Sequence, residues 1–121
     1  MADMLDQRAL DSLLEMVGDD PAFLDELVDA YLADVPQQLS ALHAALAASH
    51  ADGLVRPAHT LKSTSQSLGG RRVADIAREI EQAGRSGSTD GVDALLAELE
   101  TAEADLAAAL GQARARRWAS E

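Results

Sequence analysis

Cysteine is absent from this 121-residue chain, which excludes a disulfide framework, a thiolate metal site and a thiol nucleophile. Proline and aromatic residues are scarce, at three each: Pro21, Pro36 and Pro57, then Phe23, Tyr31 and Trp118. No uncharged apolar run approaches the roughly 20 residues that a membrane span needs. The first residues, with acids at Asp3 and Asp6, lack the basic-then-apolar order of a secretory signal. A soluble, cytoplasmic protein is therefore expected. Positive charge is also short: 10 Lys and Arg face 21 Asp and Glu, for a net charge of −11. So acidic a chain cannot neutralise phosphates over a broad surface, so neither nucleic acid nor an anionic membrane is an expected partner. At this length a single domain over residues 1–121 is expected, large enough to bury a core without staples.

What is present is helical periodicity, nearly end to end, with no segment alternating apolar and polar as a half-buried strand would. A short helix is expected from about Asp6 to Val17, ended by Gly18 and Asp19. Asp20 then reads as an N-cap with Pro21 in the first helical position. The long helix that follows carries Phe23, Leu24, Leu27, Val28, Tyr31, Leu32, Val35, Leu39, Leu42 and Leu46 at three- and four-residue spacing, with a bend expected at Pro36. A further helix is expected from about Gly53 to Leu68, stopped by Gly69-Gly70, and another from Arg71 to Ala83 with Val73, Ile76, Ala77 and Ile80 inward. After a loop at 84–91, the last helix should run from Val92 to about Arg116 on a stripe of Val92, Leu95, Leu96, Leu99, Ala102, Leu106 and Leu110. The fold class is all-α: an antiparallel up-down-up-down four-helix bundle with a short extra N-terminal helix. The tail 114–121 is expected to fray.

The helix beginning near Gly53 says more than its fold. Leu54, Ala58, Leu61, Ser65 and Leu68 form its buried stripe, all within about 40° of Leu54 at roughly 100° per residue. His59 lies about 140° away, Gln66 about 120°, Ser63 about 180°, Arg56 about 200° and Lys62 about 80°. His59 is thus expected in solvent, on a helix anchored by leucines. His43 and His50 read as ordinary surface residues. Local charge distinguishes His59: from Gly53 to Ala74 there are four basic residues (Arg56, Lys62, Arg71, Arg72) and no acid, and Lys62 is the chain's only lysine. The rest of the chain holds six basic and 21 acidic residues. Four small polar residues follow Lys62 (Ser63, Thr64, Ser65, Ser67), although such residues are mediocre helix formers. Helix packing accounts for Ser65 on the stripe but not for Ser63 opposite it. An uncluttered surface beside an exposed imidazole suggests close approach of another protein.

The run Ala58-His59-Thr60-Leu61-Lys62-Ser63-Thr64-Ser65-Gln66-Ser67-Leu68-Gly69 resembles the motif of histidine-containing phosphotransfer (HPt) domains, Ala-His-x-Leu-Lys-Gly-Ser-Ser-x-x-Leu-Gly. One departure is Ser63, at the usual Gly position, which adds a Cβ and a hydroxyl at the docking surface. The resemblance implies that His59 is the phosphoacceptor, relaying a phosphoryl group between aspartates of response-regulator receiver domains. One of those receivers can belong to a hybrid histidine kinase. It implies phosphoryl stabilisation by Lys62, a partner surface of Arg56, Ser63, Gln66, Ser67 and Gly69, and a polar residue at Glu81 oriented toward the second ring nitrogen. It implies no cofactor and no metal site in this chain, the divalent metal belonging to the receiver.

The residues suit that chemistry. Phosphoryl transfer asks mainly for positioning and for stabilisation of spread negative charge. An ordinary histidine titrates near 6.5, so much of the ring is neutral and nucleophilic at cytoplasmic pH. There is no Gly-rich nucleotide loop, no ATP-binding region and no receiver-type acidic triad, so the chain is expected to be a phosphoryl carrier without kinase activity of its own. A monomer is expected because one surface must meet two partners in turn. Two other readings are open from sequence. One is a helical scaffold or inhibitor that binds a receiver or kinase without turning phosphate over. The other, ranked well below, is a metal- or haem-holding bundle using His43, His50 or His59, for which no Glu-x-x-His pair and no Cys-x-x-Cys-His exists.

Overall fold

A computed structural model describes residues 21–119, which hold four helices and no strand: α1 Pro21–Ala47, α2 Asp52–Ser67, α3 Arg71–Arg85 and α4 Val92–Ala119. The expected helix at Asp6–Val17 and the Asp20 cap lie outside the described residues. Each helix packs on the next, and α1 also packs on α4, closing the ring of four. Turns of a few residues join successive helices, so neighbours run antiparallel. The α4 backbone stays helical to Ala119, beyond the expected boundary at Arg116.

The turns follow from backbone hydrogen bonding. At the end of α2 the Gly70 N–H donates to the Ser65 carbonyl (2.7 Å) and the Gly69 N–H to that of Gln66 (3.1 Å). This is a Schellman motif, and it needs a left-handed residue, which Gly69 supplies at φ 80°. Ser49 takes the equivalent position after α1, at φ 51°.

The buried cluster matches the expected stripes closely: Val28, Tyr31, Val35, Leu42 and Ala45 from α1, Leu54, Ala58 and Leu61 from α2, Val73, Ile76, Ala77 and Ile80 from α3, and Val92 through Leu110 from α4. Leu32, Leu39, Leu46 and Leu95 are only partly buried. Phe23 departs from expectation, being 45% exposed. At 1.5 Å per residue α1 and α4 are each about 40 Å long, and α2 and α3 about 24 and 22 Å. The α2–α3 turn abuts the middle of α4, where Gly70 meets Leu106. The start of α1 therefore extends past α2 and α3, and Phe23 lies on that extension. In the same region the Tyr31 hydroxyl donates to the Glu103 carboxylate, a buried link between α1 and α4.

The α2–α3 pair positions the site. Its close approach rests on Gly84, where a Cβ would lie 2.8 Å from the Ala51 carbonyl oxygen and 3.0 Å from Val55 Cγ2. Only a residue without a side chain allows that contact, and it brings the outward edges of α2 and α3 within reach of each other.

Candidate functional site

His59 stands on the exposed side of α2, held there because Ala58 and Leu61 on either side are buried in the core. Its side chain is 53% exposed. Across the α2–α3 groove, Glu81 is buried at 4% exposure, and its carboxylate gathers three nitrogen groups. His59 Nδ1 is 3.1 Å from Oε2. Arg85, one turn further along α3, donates to the same Oε2 from Nη2 (2.8 Å) and Nε (3.1 Å). Lys62 Nζ is 2.9 Å from Oε1, an ion pair off hydrogen-bond alignment. Lys62 is 23% exposed and Arg85 61% exposed, so Glu81 is the only deeply buried member.

Burial alone would push the Glu81 carboxyl up, but the Lys62 ammonium, the Arg85 guanidinium and the His59 ring outweigh it and hold its pKa down at about 2. Glu81 is therefore an ionised, acceptor-only group at any physiological pH. The proton in the His59 contact must then sit on Nδ1. In the neutral ring this leaves the lone pair on Nε2, the nitrogen that Glu81 does not engage. The site thus presents a nucleophilic nitrogen at the surface, with an ammonium one turn away and a buried anion behind the ring.

A family model described as the Hpt domain matches residues 26–115, most of the chain. The chain belongs to the Hpt family. Among solved structures it is similar to histidine-containing phosphotransfer protein B (HptB) from Pseudomonas aeruginosa PAO1, at 33% identity and a TM-score of 0.84, over 96% of this chain and 98% of that one. No curated protein matches it.

On this Hpt domain Arg56, Ser63, Gln66 and Ser67 are exposed on α2, as their helical angles require. Gly69 is not: it is buried, and its positive φ makes it the turn residue that ends α2, which corrects its assignment to the contact surface. The small hydroxyls are partly self-satisfied. Thr64, Ser65 and Ser67 each donate to the carbonyl four residues back, at 2.9, 2.6 and 3.2 Å, so they add little bulk and few free donors to the face. His43 pairs with Glu100 on the surface at 3.3 Å, and His50 is exposed with its ring against Gly53. Among the described residues no group of three or more His, Cys, Asp or Glu could hold a metal ion, and no helix is long and apolar enough to cross a membrane.

Arg85 is the member that sequence reasoning missed. Its signal was available, since Glu81 and Arg85 stand at i and i+4 on one helix. It lies outside the cationic stretch of residues 53–74.

Proposed function

We propose that His59 is the phosphoacceptor of this Hpt domain and that Lys62 stabilises the phosphoryl group. Histidine phosphotransfer in a phosphorelay is the function of the chain, a phosphoryl carrier that works with kinases and response regulators. The observation that carries the residue assignment is the His59–Glu81 contact, which puts the proton on Nδ1 and the lone pair on Nε2. Nε2 attacks the phosphorus of an aspartyl phosphate on a receiver. The P–O bond to the aspartate breaks, its electrons return to the carboxylate, and a P–N bond forms. The ring keeps its Nδ1 proton and becomes cationic, facing the Glu81 carboxylate. Before transfer the cluster of His59, Lys62, Arg85 and Glu81 carries one net positive charge; with a dianionic phosphoryl group and a cationic ring it carries none. Onward transfer reverses the step to a second aspartate.

In this reading Arg56, Ser63, Gln66 and Ser67 form the surface on which receivers dock, one of them attached to a hybrid kinase. The divalent metal is supplied by the receiver, the chain has no kinase activity of its own, and it works as a cytoplasmic monomer. A phosphorylated receiver should label the wild type and not His59→Gln, through a bond that is acid-labile and base-stable. Equal labelling of the variant would overturn the assignment.

A further inference from the structure

Lys62 has two claims on it. In the free protein its ammonium is paired with Glu81, yet the chemistry at His59 needs a cation on the phosphoryl oxygens. A lone buried carboxylate would resist losing its counter-ion, because an uncompensated buried charge is among the costlier defects in a protein. Here the carboxylate is not alone. Arg85 holds Oε2 through two donors, while Lys62 sits on the other oxygen, off hydrogen-bond alignment. Arg85 is also the most exposed of the three partners and the only one on the same helix as Glu81, so it can stay in place whatever happens on α2.

We propose that Lys62 is handed from Glu81 to the phosphoryl group when His59 is loaded, and that Arg85 is the positioning residue that makes the exchange possible by keeping Glu81 compensated. Arg85 touches neither the ring nor the phosphoryl group in this scheme. Without it, Lys62 becomes the sole full counter-charge of Glu81 and is retained there. The proposal rests on His59 being the phosphoacceptor and Lys62 its phosphoryl-binding cation.

Phosphoramidate tests it without a receiver. His59 Nε2 displaces ammonia from phosphorus, so docking plays no part and any failure of receiver recognition is distinguished from failure of the exchange. Because Lys62 is the only lysine, lysine-selective ¹⁵N labelling yields one side-chain ammonium signal. On loading the wild type, that signal should shift and its contacts to Glu81 should disappear. In Arg85→Ala they should persist, and the loading rate should fall on the order of tenfold, the size of one charge-assisted contact. Arg85→Lys should recover part of the rate. In a Glu81→Gln background, Arg85→Ala should have no further effect, since there is no carboxylate left to hold Lys62. An unmoved Lys62 signal in the loaded wild type overturns the exchange. An equal loss from Arg85→Ala in both backgrounds overturns the positioning role. Absence of loading in the wild type, or loading that survives His59→Gln, overturns the phosphoacceptor assignment itself.

Discussion

Replacing Glu81 by Gln should change which nitrogen of His59 carries the proton. The wild-type carboxylate is ionised and accepts from Nδ1 at 3.1 Å. A hydrogen bond to a charged group contributes about 1.5–3 kcal/mol, and the low end applies to a half-exposed ring screened by water. Since 1.4 kcal/mol is a factor of ten, about ten neutral rings should hold the proton on Nδ1 for each that holds it on Nε2. A glutamine amide can accept from Nδ1–H or donate to a bare Nδ1, so the ratio should fall to within a few-fold of one. The fraction of rings with a free lone pair on Nε2 would then drop about twofold.

The larger effect comes from charge. As Nε2 bonds to phosphorus the ring becomes cationic, and a carboxylate 3.1 Å away stabilises that charge by about 1.3 kcal/mol even at the dielectric constant of water. Losing it costs about another tenfold, so loading by phosphoramidate should slow roughly twentyfold in Glu81→Gln. The tautomer can be read from long-range ¹H–¹⁵N correlations of the rings at about pH 8.5, above the ordinary histidine range, with His50 as an internal control that has no buried acid beside it. A wild-type His59 found protonated on Nε2, or a variant with unchanged tautomer ratio and rate, would refute the reasoning.

Lys62→Arg should slow loading although charge is kept, because a planar fork cannot stand in for a compact ammonium that moves between two anions; single-turnover rates check this. Gly84→Ala should destabilise by up to about 2 kcal/mol net in denaturant titrations, since the clash with the Ala51 carbonyl and Val55, about 1–3 kcal/mol, outweighs the roughly 1 kcal/mol that Ala contributes in a helix interior. Glu103→Gln should raise stability at pH 7. Burial pushes the Glu103 carboxyl up although the Tyr31 hydroxyl bond opposes this, so its ionisation weighs against the fold at neutral pH. The folded state then holds a proton that the unfolded chain releases above about 4.5, so the gain from the amide should shrink as pH falls toward that value, as thermal melts across pH will show.

The helices were legible because their stripes repeat at helical spacing over many residues, and a core of leucines answers to little else. His59 was legible from local charge contrast together with the Lys62 spacing. The rest depended on contacts that periodicity does not encode. Glu81 lies 22 residues from His59, and its position on α3 could be matched to the family but its burial could not be read. Burial required knowing that Gly84 lets the two helices close on each other. Arg85 was hidden for the same reason, because a charged i,i+4 pair on a helix is ordinarily a surface feature. Phe23 was misread because a continuous stripe says nothing about where the facing helices stop.

A buried acid ringed by Lys62, Arg85 and His59 calls for explanation, because burying charges seldom improves stability. Glu81 is the only deeply buried member of its cluster, while Lys62, Arg85 and His59 all reach solvent. Removing Glu81 therefore strands no buried charge: the cations can turn to water on their flexible stems. The stabilisation that Lys62, Arg85 and His59 give the ionised carboxylate is lost, and the desolvation cost recovered together with the apolar burial that Met adds offsets that loss. Glu81→Met, close in volume, should leave unfolding free energy at pH 7 within about 1 kcal/mol of wild type, or raise it. It should also abolish the acid-side loss of stability that a carboxyl held near pKa 2 produces as pH falls from about 4.5 through 2. Loading of His59 should nonetheless fall at least as far as in Glu81→Gln. A strong destabilisation by Met would mean that the carboxylate is kept for the fold. Stability retained with loading lost would mean that it is kept to aim the ring and to hold Lys62 ready.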